Sequence, residues 1–391
     1  MTLHNLNPLI ENLSLPPIPL VKSWLNSYSG AHGPVIDLSQ AVPNYPPHQR
    51  LRDELSALAG DIEIYGYGPI EGEDDLRTAY AADLSARYSA DISMGQTLVT
   101  SGCNQAFITA MITVAKAGDE VLLSNPFYFN HETSLDMLGI KATRFDLSAD
   151  NGFVPDPAVI EAAITPKTRA VALVSPNNPT GAVYPADVLA DIFKLCQARG
   201  IWLILDETYR DFLEDGTSAP HSLLTLPDWD KTLIQLYSFS KSFCIPGLRL
   251  GAVTAGTAVI DGMAKVMDNV QICAPRPPQV AIARAMTALK NWQEGNRLEI
   301  QDRVATMKTV MEDAPGWDVM AIGAYFCYVR HPFQDLNSVA VAERLAKECG
   351  LLTIPGDFFG AGQQSYLRFA FANETSETIS QIANRLKLLA I

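Results

Sequence analysis

The chain has 391 residues, 48% hydrophobic and 18% charged, which is long enough for two buried cores and typical of a globular protein. Its formal net charge of -14 argues against nucleic acid as a partner, because an acidic protein repels a phosphate backbone. The N-terminus lacks a signal-peptide pattern, no apolar run is long enough to cross a bilayer, and the six cysteines form no metal-binding cluster, so we expect a cytoplasmic protein with no membrane partner and no metal.

The N-terminal segment is rich in proline and predicts an arm with one short helix. Beyond it, apolar strands alternate with helices, and the apolar runs are typical of strands buried on both faces. The predicted strands cover residues 96–101, 118–125, 142–147, 168–175, 201–207, 232–240 and 248–255, and the helices between them cover 104–118, 130–139, 156–164 and 184–200. This order predicts an α/β domain with a mostly parallel central sheet flanked by helices.

The pattern changes near residue 283. A long helical stretch leads into two strands, AYFCYVRH at 324–331 and SYLRFAFA at 365–372, and the chain ends in a helix. We therefore expect a smaller α+β domain over 283–391, a large domain over 46–282, and residues 1–45 as an arm that contributes to the small domain.

Ligands of parallel sheets bind beyond the carboxyl ends of the strands, so the loops at those ends are the first place to look for a site. Four such loops, together with one arginine-bearing strand, carry polar residues. They are SGCNQA (101–106), SPNNPTG (175–181), DETYR (206–210), SFSKSFCIPGLRLG (238–251) and YLRFA (366–370).

The loop at 238–251 carries a lysine and an arginine eight residues apart. Most lysines are solvated surface residues, but Lys241 follows a hydroxyl-rich strand end and precedes an apolar return. Partly apolar surroundings lower the pKa of a lysine and favour Schiff-base chemistry, and the fork of Arg249 suits a phosphate. Pyridoxal 5′-phosphate (PLP) carries an aldehyde and a phosphate arm on neighbouring ring positions, so one loop can bind both.

Other polar residues have both a structural and a functional interpretation. Asp206 ends an apolar strand, where it either has a structural role, as a helix cap or in a salt bridge, or pairs with a protonated pyridine nitrogen. Asn178 is either a turn residue before proline or a ligand of a ring oxygen. Gly102 opens a helix whose free N–H groups form an anion site. Arg368, between apolar neighbours, makes either a structural ion pair or a clamp on a substrate carboxylate.

The motifs SFSKSFCIPGLRLG, NNPTG and DETY, in this order and spacing, resemble the fold-type I, class I/II PLP-dependent aminotransferases over residues 37–372. The resemblance implies a role for each matching residue. Lys241 would be the Schiff-base lysine and proton carrier, Asp206 would pair with the pyridine nitrogen, Asn178 and Tyr209 would bind the ring hydroxyl, and Tyr128 would stack on the ring. The phosphate would be bound by Ser238, Arg249, Gly102 and the backbone of Cys103 and Asn104. The substrate would be contacted by Arg368, Ala41 and Asn178, and Tyr67 would contact the phosphate of a partner subunit. The last match implies a homodimer with shared active sites.

The sequence departs from the family pattern at three positions. Ala41 stands where relatives usually have glycine, and its methyl group would narrow the pocket or shift a backbone contact. Cys103 stands where small or hydroxyl residues are commoner, which matters little if the contact is through the backbone. Arg276, in ICAPRPPQ, has no clear counterpart and would serve an acidic substrate, the phosphate edge or the dimer surface; we favour the last two.

The resemblance predicts transfer of an amino group from an L-amino acid to a 2-oxo acid by a ping-pong mechanism. The motifs bind the cofactor rather than the leaving group, so a C–S lyase or other β-eliminating enzyme on the same scaffold is the alternative. A PLP-sensing regulator would need a basic DNA-binding domain, for which residues 1–35 are too short. The aromatic residues Tyr65, Tyr67, Tyr128, Tyr325 and Phe326 favour neutral or aromatic substrates over dicarboxylic ones.

Overall fold

The structure, a computed structural model, describes residues 5–216 and 219–389. In chain order its strands are β1 Ile36–Asp37, β2 Thr97–Thr100, β3 Glu120–Asn125, β4 Lys141–Asp146, β5 Thr168–Val174, β6 Trp202–Asp206, β7 Leu233–Ser238, β8 Gly251–Thr254, β9 Asp318–Gly323, β10 Phe326–Arg330, β11 Leu351–Leu352, β12 Ile354–Pro355 and β13 Tyr366–Ala370. Its α-helices are α1 Pro8–Glu11, α2 Pro17–Ser23, α3 Gln49–Leu58, α4 Asp74–Tyr88, α5 Cys103–Val114, α6 Phe129–Met137, α7 Pro157–Ala163, α8 Ala186–Arg199, α9 Phe239–Ser242, α10 Thr257–Val270, α11 Arg276–Ala285, α12 Lys290–Glu312, α13 Ser338–Arg344, α14 Ser376–Ile379 and α15 Ile382–Lys387.

The central sheet has seven strands in the order β2-β8-β7-β6-β5-β3-β4, and β8 alone runs antiparallel to its neighbours. The apolar runs of its inner strands are buried on both faces, as predicted. Leu203 and Leu205 of β6 point into one hydrophobic core, whereas Ile204 between them points into the other. This alternation is why helices cover both sides of the sheet, and it confirms the predicted α/β architecture.

A second sheet of four antiparallel strands, in the order β12-β13-β10-β9, contains the two strands predicted near the C-terminus. Strands β9 and β12 were not predicted, because their short or half-buried segments carry little alternation. The N-terminal segment joins this region through β1, which pairs in parallel with β11. The proposed division at residues 45 and 282 stays a prediction.

Two predicted boundaries were wrong. The strand expected over 248–255 begins only at Gly251, because Pro246–Leu248 forms a 3₁₀ turn and Arg249 has a φ of +52°. The helical stretch expected from residue 283 begins earlier, at Arg276, and is interrupted by the 3₁₀ turn Met286–Leu289. The first difference matters for the site, because the left-handed residue turns the arginine back toward the start of α5.

Candidate active site

The carboxyl ends of β5, β6 and β7 and the N-terminus of α5 enclose a cavity of about 140 Å³. Nine of the residues singled out from the sequence line it, which brings together loops separated by more than a hundred residues. The lining consists of Cys103, Asn104, Tyr128, Val174, Asn178, Asp206, Thr208, Tyr209, Ser238, Ser240, Lys241, Pro246 and Arg249.

Lys241 lies in the single-turn helix α9, directly after β7. Burial lowers the pKa of its ammonium group to about 8, and the positive charges of Arg249 and Arg368 act in the same direction. Within the described chain, its Nζ atom makes no hydrogen bond or ion pair. A substantial fraction of this amine is therefore neutral, and nucleophilic, near physiological pH.

Asp206 lies at the end of β6 and is 5% exposed. Its Oδ1 accepts a hydrogen bond of 2.9 Å from the backbone N–H of Thr208, and its Oδ2 lies 3.4 Å from Cys103 Sγ and 3.6 Å from His131 Nε2. Burial raises the pKa of Asp206, but the hydrogen bond and charge of His131 and the bonds from Thr208 outweigh it and leave that pKa lowered. The carboxylate is therefore ionised although it is buried.

Sequence reasoning missed His131. Its ring stacks on Phe107 at 3.9 Å between centroids and meets Tyr128 edge-on at 5.3 Å, so packing fixes its orientation toward Asp206. The available signal was its position near the start of the predicted helix 130–139, whose face at that end follows Tyr128 closely along the chain. Nothing in the sequence indicates that this face meets the end of β6.

A chain of hydrogen bonds joins the two sheets across the cavity. Asn178 Nδ2 donates to Tyr209 Oη at 3.3 Å, and Arg368 Nη1 donates to Asn178 Oδ1 at 3.1 Å. Arg368 Nη2 also donates to the carbonyl oxygen of Ser39 at 2.5 Å. Arg368 belongs to β13 of the small sheet, so these hydrogen bonds connect the loops that line the cavity to the second sheet and the N-terminal segment.

Apart from these two hydrogen bonds, the guanidinium of Arg368 is surrounded by aromatic rings. Its guanidinium lies over the rings of Phe326 and Phe359, at 5.5 and 5.3 Å from their centroids, and burial lowers its pKa to about 10. Among the described residues, its Nε has no hydrogen-bond partner and no carboxylate lies within ion-pair distance. A buried cation in this state is favourably placed to receive a carboxylate.

The start of α5 forms a cradle for an anion. The backbone N–H groups of Cys103 and Asn104 donate to no acceptor in the described chain, and Gly102 has a φ of +85°. A Cβ atom on Gly102 would lie 2.2 Å from Arg249 Nη2, so only glycine lets the arginine approach this helix end. Ser240 Oγ, which was assigned no role from the sequence, is a buried hydroxyl without a partner in the described residues.

Tyr67, Ala41 and Arg276 lie outside the lining of the cavity, as do Gly102 and Arg368. Tyr67 is 80% exposed. Ala41 is half-buried, and its carbonyl oxygen accepts a hydrogen bond of 3.4 Å from Tyr325 Oη. Arg276 pairs with Glu73, with Nε and Oε1 2.6 Å apart.

The aromatic residues are not one wall. The rings of Tyr325 and Phe326 pack edge-on against that of Tyr209, with centroids 5.4 and 4.9 Å apart. Tyr65, in contrast, is 73% exposed, and Tyr67 is exposed as well. A larger cavity of about 530 Å³ is lined by Phe127 and Phe129, the sequence neighbours of Tyr128. It is enclosed by residues 12–17 of the N-terminal arm, by α6 and its preceding loop, and by residues 357–361.

Residues 5–216 and 219–389 contain no group of three or more His, Cys, Asp or Glu side chains arranged to hold a metal ion. No helix in the same ranges is both long and apolar enough to cross a membrane.

Comparison with known proteins gives a consistent result. Residues 33–386 match the family described as aminotransferase class I and II. The chain is 29% identical over 360 residues to an aromatic aminotransferase of Arabidopsis thaliana, which covers 90% of this chain and 89% of the relative. It is 28% identical over 373 residues to an aspartate aminotransferase of Sulfolobus acidocaldarius, covering 90% of each.

The fold itself is similar to that of an aspartate aminotransferase variant from Thermus thermophilus, with a TM-score of 0.90 and 23% identity over 99% of this chain and 100% of that one. This confirms the predicted fold type, and the family match confirms the predicted transfer of amino groups. The chain therefore belongs to the aminotransferase class I and II family, whose members use PLP and act on amino acids and keto acids.

Proposed function

We propose that this chain binds PLP through Lys241 and uses it to move an amino group from an L-amino acid to a 2-oxo acid. The observation that carries the proposal is the lysine itself: its pKa is lowered to about 8, and it shares one cavity with a buried, ionised Asp206. An amine that is partly neutral beside a carboxylate that stays charged is the pair that a pyridine aldehyde requires.

The polar groups around the cavity fit the substituents of PLP. The N–H groups at the start of α5, with Ser238, Ser240 and Arg249, suit a phosphate, and Gly102 leaves room for the arginine beside them. Asp206 suits the protonated pyridine nitrogen at the opposite end. Asn178 and Tyr209, already linked at 3.3 Å, would bind the ring oxygen, and Tyr128 would stack on the ring.

Lys241 would also carry the proton. When bound, PLP supplies an electron-withdrawing ring that accepts the electron pair left behind at the substrate α-carbon. The freed Lys241 amine would take the α-proton and return it on the cofactor side, and a pKa near 8 suits both tasks at neutral pH. The ionised Asp206 would keep the ring nitrogen protonated throughout.

Arg368 would bind the α-carboxylate of the substrate. It is buried without a counter-ion among the described residues, and Asn178 and the Ser39 carbonyl hold its two Nη atoms in place. Fixed in this way, the guanidinium would orient the amino acid so that its α-carbon faces Lys241. Ala41, held through Tyr325, would form part of the wall on the same side.

The larger cavity supports neutral or aromatic amino acids as substrates. Phe127, Phe129 and Phe358 contribute apolar surface to it. Its one arginine, Arg144, is already paired with Glu132, and further carboxylates line the same space. A second substrate carboxylate would therefore meet like charge and no free cation from the described lining.

The proposal includes a homodimer with shared active sites, because the exposed Tyr67 is available to reach the phosphate bound by a second chain. It also includes the division into residues 1–45, 46–282 and 283–391 described above. The six free cysteines support a cytoplasmic location.

The experiment is a single-turnover absorbance screen of the PLP-loaded protein with each L-amino acid and no keto acid. Conversion of the pyridoxal form of the cofactor to its pyridoxamine form supports the proposal and identifies the donor; phenylalanine or leucine should react at least about tenfold more efficiently than aspartate. Faster reaction with aspartate would contradict the substrate class.

The matched variant is Lys241→Ala. It should bind PLP without the absorbance of the lysine-linked cofactor and lose conversion, with an unchanged circular dichroism spectrum. Conversion at the wild-type rate would remove Lys241 from the mechanism. Release of ammonia with return of the original absorbance would instead indicate an eliminating enzyme.

A further inference from the structure

The loop that carries Tyr67, residues 63–73, is held mainly by one side chain of α11. Arg276, the first residue of α11, donates from Nε to Glu73 Oε1 at 2.6 Å. Its Nη1 donates to the carbonyl oxygens of Glu63 at 2.6 Å and of Gly66 at 3.3 Å. A single guanidinium therefore binds both ends of the segment in which Tyr67 stands.

The backbone packs closely onto this ion pair. A Cβ atom on Gly68 would lie 2.7 Å from Glu73 Oε1 and 3.0 Å from Arg276 Cδ, so the residue after Tyr67 touches the pair directly. Gln279, one turn further along α11, accepts a hydrogen bond of 2.8 Å from the backbone N–H of Glu73. The first turn of α11 thus fixes the loop at several points.

The same loop is tied to the phosphate cradle of its own chain. The backbone N–H of Val99 in β2 donates to the carbonyl oxygen of Glu71 at 2.8 Å, and β2 leads directly into the Gly102 turn. Tyr67 is nevertheless 80% exposed. A rigid loop that presents an exposed tyrosine is pre-organised for a contact outside the chain, because the conformational entropy has been lost before that contact forms.

We propose that Arg276 is a positioning residue that holds the Tyr67 loop in the shape needed for the Tyr67 hydroxyl to reach the cofactor phosphate of the partner subunit. This inference rests on the proposed function, in which the active site is shared between two chains. It replaces the interpretations left open from the sequence: the guanidinium itself contacts the loop, and neither a substrate nor the phosphate is required to explain it.

The test is a double-mutant cycle on the rate at which the holoenzyme releases PLP into a scavenger. Arg276→Ala and Tyr67→Phe should each accelerate release by about tenfold, the loss of one hydrogen bond to a charged group. The double variant should release PLP no faster than Tyr67→Phe alone, because Arg276 acts through Tyr67. Multiplied effects, or no effect of Arg276→Ala, would overturn the inference and leave the shared site intact.

Controls separate positioning from loss of structure. Arg284→Ala, on the same helix and paired with Glu54 at 3.5 Å, should leave PLP release unchanged. Arg276→Lys keeps the charge beside Glu73 but cannot reach both carbonyl oxygens, so its rate of PLP release should lie between those of the wild type and Arg276→Ala. This variant also keeps the test available if the alanine variant does not fold. If Tyr67→Phe releases PLP at the wild-type rate, the shared site itself fails, and the inference fails with it.

Discussion

Asp206 and Arg368 are buried to a similar degree, at 5% and 2% exposure, but the two sheets that carry them treat their charges differently. The carboxylate of Asp206 lies beside His131 and Thr208, whose hydrogen bonds, with the charge of His131, lower its pKa against the effect of burial. Arg368 faces aromatic rings, the Asn178 amide and a carbonyl oxygen, and burial lowers its pKa to about 10.

The difference indicates which of the two charged groups already has its partners before a ligand binds. A buried charge that already has partners costs little to keep, whereas a buried cation without an anion is stabilised when one binds. In the site proposed above, the carboxylate carried by the seven-stranded sheet already has its partners, whereas the guanidinium carried by the four-stranded sheet has no carboxylate partner among the described residues. The predictions that follow test this contrast.

The largest effect should come from Asp206→Asn. An amide cannot hold a ring nitrogen in its protonated form, so kcat should fall by about 10³-fold even at saturating PLP. The measurement is steady-state turnover with the best donor from the absorbance screen. Asp146→Asn is a matched control, because Asp146 also ends a strand of this sheet but is exposed and outside the cavity; its activity should stay within about twofold of wild type. Equal losses in both variants would contradict the role of Asp206.

Arg368→Ala should have the next largest effect, on substrate rather than cofactor. Loss of a buried, charge-assisted contact to a carboxylate should lower kcat/KM for amino acids by about 100-fold, mostly through KM. PLP release from the variant should stay close to the wild-type rate, because Arg368 does not line the cavity proposed for the cofactor. An unchanged KM would make Arg368 a structural residue of the small sheet and remove the contrast with Asp206.

The smallest effect should be a pH-dependent change in stability of the cofactor-free protein on Lys241→Met. The pKa of Lys241 is about 8 in the folded state and near 10.5 when unfolded, so the cost of its buried charge is complete below pH 8 and disappears as pH rises toward 10.5. The variant should gain stability over wild type at pH 7, and this gain should shrink by roughly 2 kcal/mol at pH 9.5. Urea unfolding of both proteins at the two pH values measures it; a gain independent of pH would mean that the ammonium is solvated.

The sequence by itself determined the order of strands and helices and the loops that bear the chemistry. Strands such as 168–175 and 201–207 were predictable because burial on both faces requires continuous apolar residues, and this requirement is local. Lys241, Asp206 and Asn178 were found for a related reason: each follows a strand, and parallel strands end at one edge. The cavity that joins them follows from that topology.

Tertiary structure alone decided the contacts between segments that are distant along the chain. His131 approaches Asp206 only because α6 packs against the end of β6, and Arg276 meets Glu73 across about two hundred residues. The approach of Arg249 to Gly102 depends on a left-handed turn that a strand prediction over 248–255 excludes. Such contacts depend on how whole helices and strands pack against one another. The periodicity of apolar residues along the sequence does not indicate which element a polar side chain will contact.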